Sequence, residues 1–213
     1  ILDAGLDLEE EIVIADQDRD FMRMTGARLS VGATLQRREL LLLALMSSEN
    51  RAAAALGRTY PGGLERFVVA MNSKAASLGM YNSQFADPAG LNADNVSTAR
   101  DLARMLAAAQ GYPMITDATT TLHRDVQPYA SRRPLTFNNT NRLLKNANWK
   151  IELSKTGYIN EAGRCLVMST NIDGEAVSIV LLNSFGKLTP YGDSNRLRKW
   201  MLASSRTSYT QDT

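Results

Sequence analysis

Two short groups of polar residues are the strongest candidates for chemistry in this 213-residue sequence. The first, Ser48-Glu49-Asn50, lies between residues 40–46 and 52–56, which are rich in good helix formers. Ser and Asn compete with the backbone for hydrogen bonds and form helices poorly, so helix propensity does not account for this triplet. The second group, Lys155-Thr156-Gly157, follows a strand-like segment and runs into a turn at residues 160–163.

The order of the two groups matches a catalytic signature. S-x-x-K, an S-D-N type triplet and K-T-G together mark class A β-lactamases and penicillin-binding proteins. Ser48-Glu49-Asn50 is a variant of that triplet and precedes Lys155-Thr156-Gly157. This chemistry needs an activated serine, a base, an oxyanion hole and a docking point for a substrate carboxylate. Each triplet alone is a weak signal because short motifs recur by chance.

Four longer segments resemble the low-molecular-mass penicillin-binding proteins, in particular their D-alanyl-D-alanine endopeptidase branch of the penicillin-binding protein 7 type. They are LQRRELLLLALMSSENRAAAAL (35–56), SQFADPAGLNADNVSTARDLARML (83–106), IELSKTGYINEAGRCLVM (151–168) and SFGKLTPYGDSNRLRKW (184–200). The resemblance implies an α/β (α+β) fold of the β-lactamase/transpeptidase type, with an antiparallel sheet flanked by helices. It also implies one domain over residues 1–213, incomplete at its N-terminus, with a helical region at about 30–118.

The same resemblance assigns catalytic roles to three residues. Ser48 would relay a proton to the leaving amine or hold the lysine network, and Asn50 would hydrogen-bond a substrate amide. Lys155 would supply positive potential.

It assigns substrate binding to the next three residues. Thr156 would bind the carboxylate of the D-configured residue. Gly157 would let the substrate lie against the strand edge as an added strand, and the backbone N–H of Tyr158 would be one oxyanion donor.

The nucleophile is the missing part, because no S-x-x-K precedes Ser48. The one S-x-x-K, Ser184-Phe185-Gly186-Lys187, follows a strand-like segment, and Gly186 would weaken a helix that had to hold serine and lysine one turn apart. We therefore predict a turn there. Ile1-Leu2-Asp3-Ala4 resembles the far end of the family's nucleophile helix, so the serine and its lysine are expected upstream of Ile1.

Asn139-Thr140-Asn141-Arg142 departs from related carboxypeptidases, which often carry an arginine at the place of Thr140. Arg142 brings a similar charge at a different position, so the arginine's role in carboxylate recognition is not carried over to it.

Composition excludes several other classes of function. A net charge of +2, with 24 basic and 22 acidic residues spread along the chain, gives no electrostatic footprint for nucleic acid. The longest apolar run, residues 40–46, is far shorter than the roughly 20 residues of a membrane span. One histidine, His123, and one cysteine, Cys165, argue against zinc hydrolases and thiol proteases, and no metal or organic cofactor is expected. We expect Cys165 to fill the sheet core and His123 to lie at the surface or pack in a strand.

Periodicity and turn chemistry predict helices in the first half. One helix begins at Arg37, and a second covers residues 64–78 with Gly79 as its C-cap. A third begins at a capping box of Thr98 with Asp101 and ends near Gln110.

The second half reads mainly as strands, and one further short strand is predicted near the start of the chain, at residues 12–14. Residues 119–126 and 151–154 are predicted strands, and 165–171 and 176–183 are predicted to form a hairpin through Asp173-Gly174. A closing helix at residues 190–203 should direct Leu197, Trp200 and Met201 inward.

We therefore expect a D,D-endopeptidase that cleaves D-alanyl cross-links of peptidoglycan through a serine acyl-enzyme and is inhibited by penicillins. Its partners would be peptidoglycan stem peptides and cross-links and β-lactam antibiotics, and its compartment the periplasm. A D-alanyl-D-alanine carboxypeptidase is the first alternative, but those relatives commonly continue into a further domain, whereas this sequence stops 13 residues after Trp200. A non-catalytic peptidoglycan-binding relative is the second, and an upstream S-x-x-K would decide against it.

Overall fold

The computed structural model describes residues 1–209, with side chains to Ser204, and this part contains six helices and seven strands. The helices are α1 (Arg37–Ser47), α2 (Asn50–Arg58), α3 (Gly63–Ser77), α4 (Ala99–Ala109), α5 (Pro113–Thr120) and α6 (Thr189–Tyr209). The strands are β1 (Glu11–Val13), β2 (Thr34–Gln36), β3 (His123–Val126), β4 (Leu135–Asn138), β5 (Lys150–Ile159), β6 (Gly163–Ile172) and β7 (Glu175–Ser184). No helix in this part is both long and apolar enough to cross a membrane.

The main sheet is antiparallel, in the order β5-β6-β7, and the pairs β1-β2 and β3-β4 stand apart from it. The predicted hairpin is confirmed: Asp173 and Gly174 join β6 to β7 with φ of 54° and 89°. Positive φ at both turn residues is typical of a two-residue type I′ turn. Within residues 1–209 no strand pairs with the outer edge of β5, which carries Lys155-Thr156-Gly157.

Helices cover both faces of this sheet because apolar residues alternate along its strands. Leu153 and Val167 pack on the side of α4 and α5, together with Leu106. Leu166 and Met168 point to the opposite side and pack against α6. The predicted architecture, an antiparallel sheet flanked by helices, is confirmed.

A separate core holds α1 and α2 in place. Leu40, Leu43 and Met46 of α1 are fully buried against Ala52 and Ala55 of α2, in a cluster that also includes residues of β1, β2 and β4. α1 also packs on α5, and α5 packs on β5. This chain of contacts brings the end of α1 next to the edge strand of the main sheet.

Several boundaries differ from the sequence predictions. The strand predicted at residues 119–126 is wrong at its start, because Thr119 and Thr120 end α5, whose N1 residue is Pro113. The capping box at α4 is only half formed. Thr98 accepts from the N–H of Asp101, but the Asp101 carboxylate accepts from Asn82 and Ser83 instead of turning back to Thr98.

Two expectations about burial are also wrong. In α6, Leu197 is 39% exposed and Trp200 66% exposed, so only Met201 of the predicted inward set packs in the core. Cys165 is half-buried, and its thiol lies near the carbonyl oxygen of Ala162 in the β5–β6 turn. His123 is exposed on β3. A surface position was one of the two alternatives predicted for it.

Candidate active site

The Ser48-Glu49-Asn50 triplet forms the junction between α1 and α2. Ser48 follows the last residue of α1 and adopts φ 55° and ψ 44°, a left-handed conformation that ends a helix. Asn50 is then the first residue of α2. The polar triplet therefore ends one helix and starts another, which explains why poor helix formers stand between two helical segments.

Glu49 caps α2 with a buried carboxylate. Its side chain accepts hydrogen bonds from the N–H groups of Ala52 at 2.7 Å and Leu29 at 3.2 Å. Burial raises the pKa of Glu49 above its ordinary value. These contacts fix the junction to the loop at residues 26–30 and so hold Ser48 and Asn50 in place.

Lys155 of β5 reaches this junction although it lies 107 positions from Ser48. Its amine donates hydrogen bonds to the Ser48 hydroxyl and, at 2.9 Å, to the carbonyl oxygen of Thr156. Burial lowers the pKa of Lys155 to about 8. The amine is therefore mostly cationic at neutral pH and loses its charge more readily than a solvated lysine.

Thr156 lies beside the residue at which the sequence departs from its relatives. The Thr156 hydroxyl donates to the Thr140 hydroxyl at 2.7 Å. Thr140 is itself fixed, because its N–H donates to Met46 and its carbonyl accepts from the Tyr191 hydroxyl. Arg142 is exposed on a short 3-10 helix and has no described contact with Thr156. The hydroxyls of Thr156 and Thr140 and the amine of Lys155 are therefore the polar groups at this end of the site.

Gly157 and Tyr158 continue the strand toward solvent. Gly157 is exposed, and a Cβ added there would meet only the Cβ of Cys165, at 3.8 Å. Tyr158 is 53% exposed, and the Arg164 guanidinium lies 4.0 Å from its ring centre. These two positions leave the outer edge of β5 accessible.

Asn50 is held by the loop that faces β5. Its side-chain amide donates to the Thr25 hydroxyl at 3.0 Å, and that hydroxyl donates to Asp20 at 2.7 Å. Burial raises the pKa of Asp20, but hydrogen bonds from the N–H groups of Arg23, Thr25 and Met22 and from the Thr25 hydroxyl outweigh this effect and lower it to about 2. Asp20 is thus a permanent anion that orients Thr25.

Two cavities meet at Asn50. One, of about 270 Å³, is lined by Ser48 and Asn50 together with residues 26–28 and 137–138. The other, of about 410 Å³, is mostly apolar and lies between residues 17–22 and residues 87–91. No group of three or more His, Cys, Asp or Glu side chains in the described part of the chain is placed to hold a metal ion.

The S-x-x-K at residues 184–187 does not hold its serine and lysine one turn apart on a helix. Ser184 is the last residue of β7, and Lys187 lies in the turn before α6. Phe185 between them is fully exposed. The predicted turn is confirmed.

Four residues that support the site were not identified from the sequence. In the sequence Glu49 is only the middle of a triplet, although an acidic side chain at the start of a helix is favoured by the helix dipole. In the sequence Thr140 is only a departure from related carboxypeptidases. Asp20 and Thr25 lie in an irregular loop, and nothing in their spacing connects them to Asn50.

Comparisons with known proteins identify the family and the fold of this chain. Residues 6–186 match the family model described as D-alanyl-D-alanine carboxypeptidase. The D-alanyl-D-alanine endopeptidases of Pseudomonas aeruginosa and Escherichia coli K12 are 49% and 46% identical; each alignment covers 94% of this chain but 65% of the relative. The crystal structure of the Streptomyces K15 DD-transpeptidase matches with a TM-score of 0.83 at 27% identity, over 94% of this chain and 81% of that one. The chain therefore belongs to the D-alanyl-D-alanine carboxypeptidase family of serine peptidases, with the transpeptidase-like fold.

Proposed function

We propose that this chain carries most of the active site of a D,D-endopeptidase that cleaves D-alanyl cross-links of peptidoglycan through a serine acyl-enzyme. The hydrogen bond from the Lys155 amine to the Ser48 hydroxyl carries this proposal. It joins the two halves of the signature at one point, beside an open strand edge. The names of the two relatives at 49% and 46% identity support the endopeptidase assignment.

The nucleophile in this proposal comes from outside residues 1–213. The chain spans only 65% of the length of those relatives, and no S-x-x-K precedes Ser48 in it. A serine with its lysine would attack the D-alanyl carbonyl, expel the amine of the neighbouring stem peptide and form an ester, which water then hydrolyses. Residues 1–213 would accordingly be part of a single transpeptidase-like domain.

In this scheme Ser48 transfers a proton and Lys155 stabilises negative charge. The Ser48 hydroxyl can accept a proton while donating its own, so it relays a proton to the leaving amine. The Lys155 cation, partly withdrawn from water, stabilises developing negative charge and attracts the substrate carboxylate. Asn50, fixed through Thr25, hydrogen-bonds a substrate amide.

The edge of β5 binds the peptide. An extended stem peptide adds to this open edge as a further strand, with its carboxylate at Thr156 and Lys155 and its reacting carbonyl at the N–H of Tyr158. Gly157 keeps a side chain out of this path.

Penicillin labelling tests the acyl-enzyme. Residues 1–213 alone should not be labelled by a fluorescent penicillin, whereas the complete natural protein should be, and substitution of its upstream S-x-x-K serine should abolish labelling. Ser184→Ala is the matched control and should leave labelling of the complete protein intact. Stoichiometric labelling of residues 1–213 at Ser48 or Ser184 would overturn the assignment, and a complete protein without an upstream S-x-x-K would make it a non-catalytic binding module.

A carboxypeptidase is the second candidate, because proteins named D-alanyl-D-alanine carboxypeptidase in Bacillus subtilis and Escherichia coli K12 are 34% and 32% identical. Given cross-linked muropeptide dimers and uncross-linked pentapeptides, the complete protein should cut the dimer in preference. Mass spectrometry that shows mainly loss of terminal D-alanine would favour the carboxypeptidase. Because either substrate belongs to the bacterial cell wall, we propose the periplasm as the compartment of the working protein.

A further inference from the structure

An ion pair connects the two walls of the substrate groove at its Tyr158 end. The Arg23 guanidinium contacts the Glu161 carboxylate at 2.9 Å. Arg23 belongs to the loop that fixes Asn50 through Thr25, and Glu161 is at the tip of the β5–β6 hairpin, three residues beyond Tyr158. The pair therefore crosses the line along which a peptide added to β5 would leave the reacting centre.

The two partners are held very differently. Only 20% of the Arg23 side chain is exposed, and its Nε donates to the carbonyl oxygen of Leu91, so the guanidinium has a fixed place. Glu161 is 52% exposed at the tip of a turn, and Arg23 is its one described side-chain partner. Because the Glu161 side of this ion pair is open to solvent, the contact contributes little to stability and its anion is readily exchanged.

The guanidinium can receive another carboxylate in place of Glu161. Arginine carries five N–H donors in a planar fork that matches a carboxylate, and the contacts with Leu91 and Glu161 leave donors free. Asp20, an acidic residue of the same loop, accepts hydrogen bonds from that loop, including the N–H of Arg23, and so is already satisfied. Glu161 is thus the internal competitor for this site.

Distance along the strand fixes which substrate group arrives there. A strand rises about 3.3 Å per residue, but β5 ends at Ile159 and Glu161 lies in the turn that follows, so Glu161 lies beyond Tyr158 by less than the roughly 10 Å that three extended residues span. A peptide whose reacting carbonyl is at Tyr158 would bring a side chain two or three residues away to this ion pair. Stem peptides carry carboxylates on residues that precede the terminal D-alanines.

We propose that Arg23 is the docking point for such a side carboxylate of the stem peptide, and that Glu161 occupies this point until the substrate displaces it. This inference rests on the proposed function and adds a specificity determinant to it. Arg23 acts by recognition and takes no part in bond cleavage.

The test compares two substrates in the complete protein: a stem peptide with a free side carboxylate and the same peptide with a carboxamide there. Arg23→Ala should lower the ratio of kcat/KM for acid over amide by about tenfold, since a hydrogen bond to a charged group is lost. Glu161→Gln should lower KM for the acid several-fold and leave KM for the amide unchanged, because the competitor is removed. Arg19→Ala, in the same loop and paired with Asp16, is the matched control and should leave the ratio unchanged.

A purely structural ion pair gives a different result. In that case Arg23→Ala would reduce kcat/KM for both peptides equally, and an unchanged ratio overturns the proposal. If Arg23→Ala does not fold, Glu161→Gln decides, and an unchanged KM for the acid overturns it as well. Wild-type protein that reacts with penicillin but does not discriminate acid from amide refutes only this inference, whereas wild-type protein that never reacts with penicillin refutes the proposed function.

Discussion

The two walls of the site are built in opposite ways. On the helix side, the Ser48 junction depends on buried side-chain hydrogen bonds from Glu49 and on a left-handed backbone. On the strand side, backbone pairing with β6 holds the half-buried Thr156 and the exposed Gly157 and Tyr158. The helix side is thus coupled to folding, whereas the strand side can change at little cost to stability.

Lys155→Ala should have the largest effect, because this side chain joins the two walls at the reacting centre. Its loss removes positive charge from the reacting centre. We expect acylation of the complete protein by penicillin to slow by about 2–4 kcal/mol of barrier, comparable to loss of an oxyanion donor. Stopped-flow or quench measurements of acylation provide the rate, and an unchanged rate would remove Lys155 from the site.

The pH profile is the control for that variant. Since burial lowers the pKa of Lys155 to about 8, the amine is charged below this pH and neutral above it. The part of the acylation rate that depends on its charge should therefore fall as pH rises through about 8. The same fall should be absent from Lys155→Ala.

Glu49→Ala should test whether the helix side is coupled to folding. It removes the α2 cap and leaves the buried N–H of Leu29 without its acceptor, which together should cost about 2–3 kcal/mol of unfolding free energy. Urea unfolding of the complete protein measures this loss. Glu49→Gln keeps the size and one acceptor oxygen, so it should cost less, and equal losses in both variants would show that charge alone matters.

The sequence predicted the parts of this molecule that depend on local patterns. Gly79 after α3 and Asp173-Gly174 between β6 and β7 were identified because backbone geometry restricts the residue types at such positions. The shared signature predicted the contact between Ser48 and Lys155, because the residues of one catalytic signature must meet at one reacting centre. Periodicity along the chain gives no such information about residues that are far apart in sequence.

The rest depends on long-range packing. The helical spacing of α6 could not predict that Leu197 and Trp200 are exposed. Spacing shows which residues share one face of a helix, but it does not show whether another part of the chain packs on that face. Cys165 was predicted to be buried from its residue type, but its place opposite Gly157, which has no side chain, leaves it half-exposed. The support of Asn50 by Thr25 and Asp20 joins segments 25 positions apart through an irregular loop.

Ser48→Gly and Ser48→Ala separate backbone strain from chemistry on the helix side. Both remove the hydroxyl, so both should lose activity to the same extent. Glycine adopts φ 55° without the steric cost that a Cβ imposes, so Ser48→Gly should be more stable than Ser48→Ala by about 1 kcal/mol. Equal unfolding free energies would mean that the junction does not hold strain at Ser48.

Gly157→Ala should have the smallest effect on stability and tests the strand side directly. The glycine is not in the left-handed region, and the new Cβ would meet the Cβ of Cys165 at 3.8 Å, an ordinary contact. Replacing glycine by alanine at a compatible site restricts the unfolded chain, so the unfolding free energy should stay the same or rise by up to about 1 kcal/mol. The methyl group nevertheless narrows the path along β5, so KM for stem peptides should rise while the fold persists. A loss of more than about 1 kcal/mol would show that this strand is as closely coupled to folding as the Ser48 junction, and the contrast between the two walls would fail.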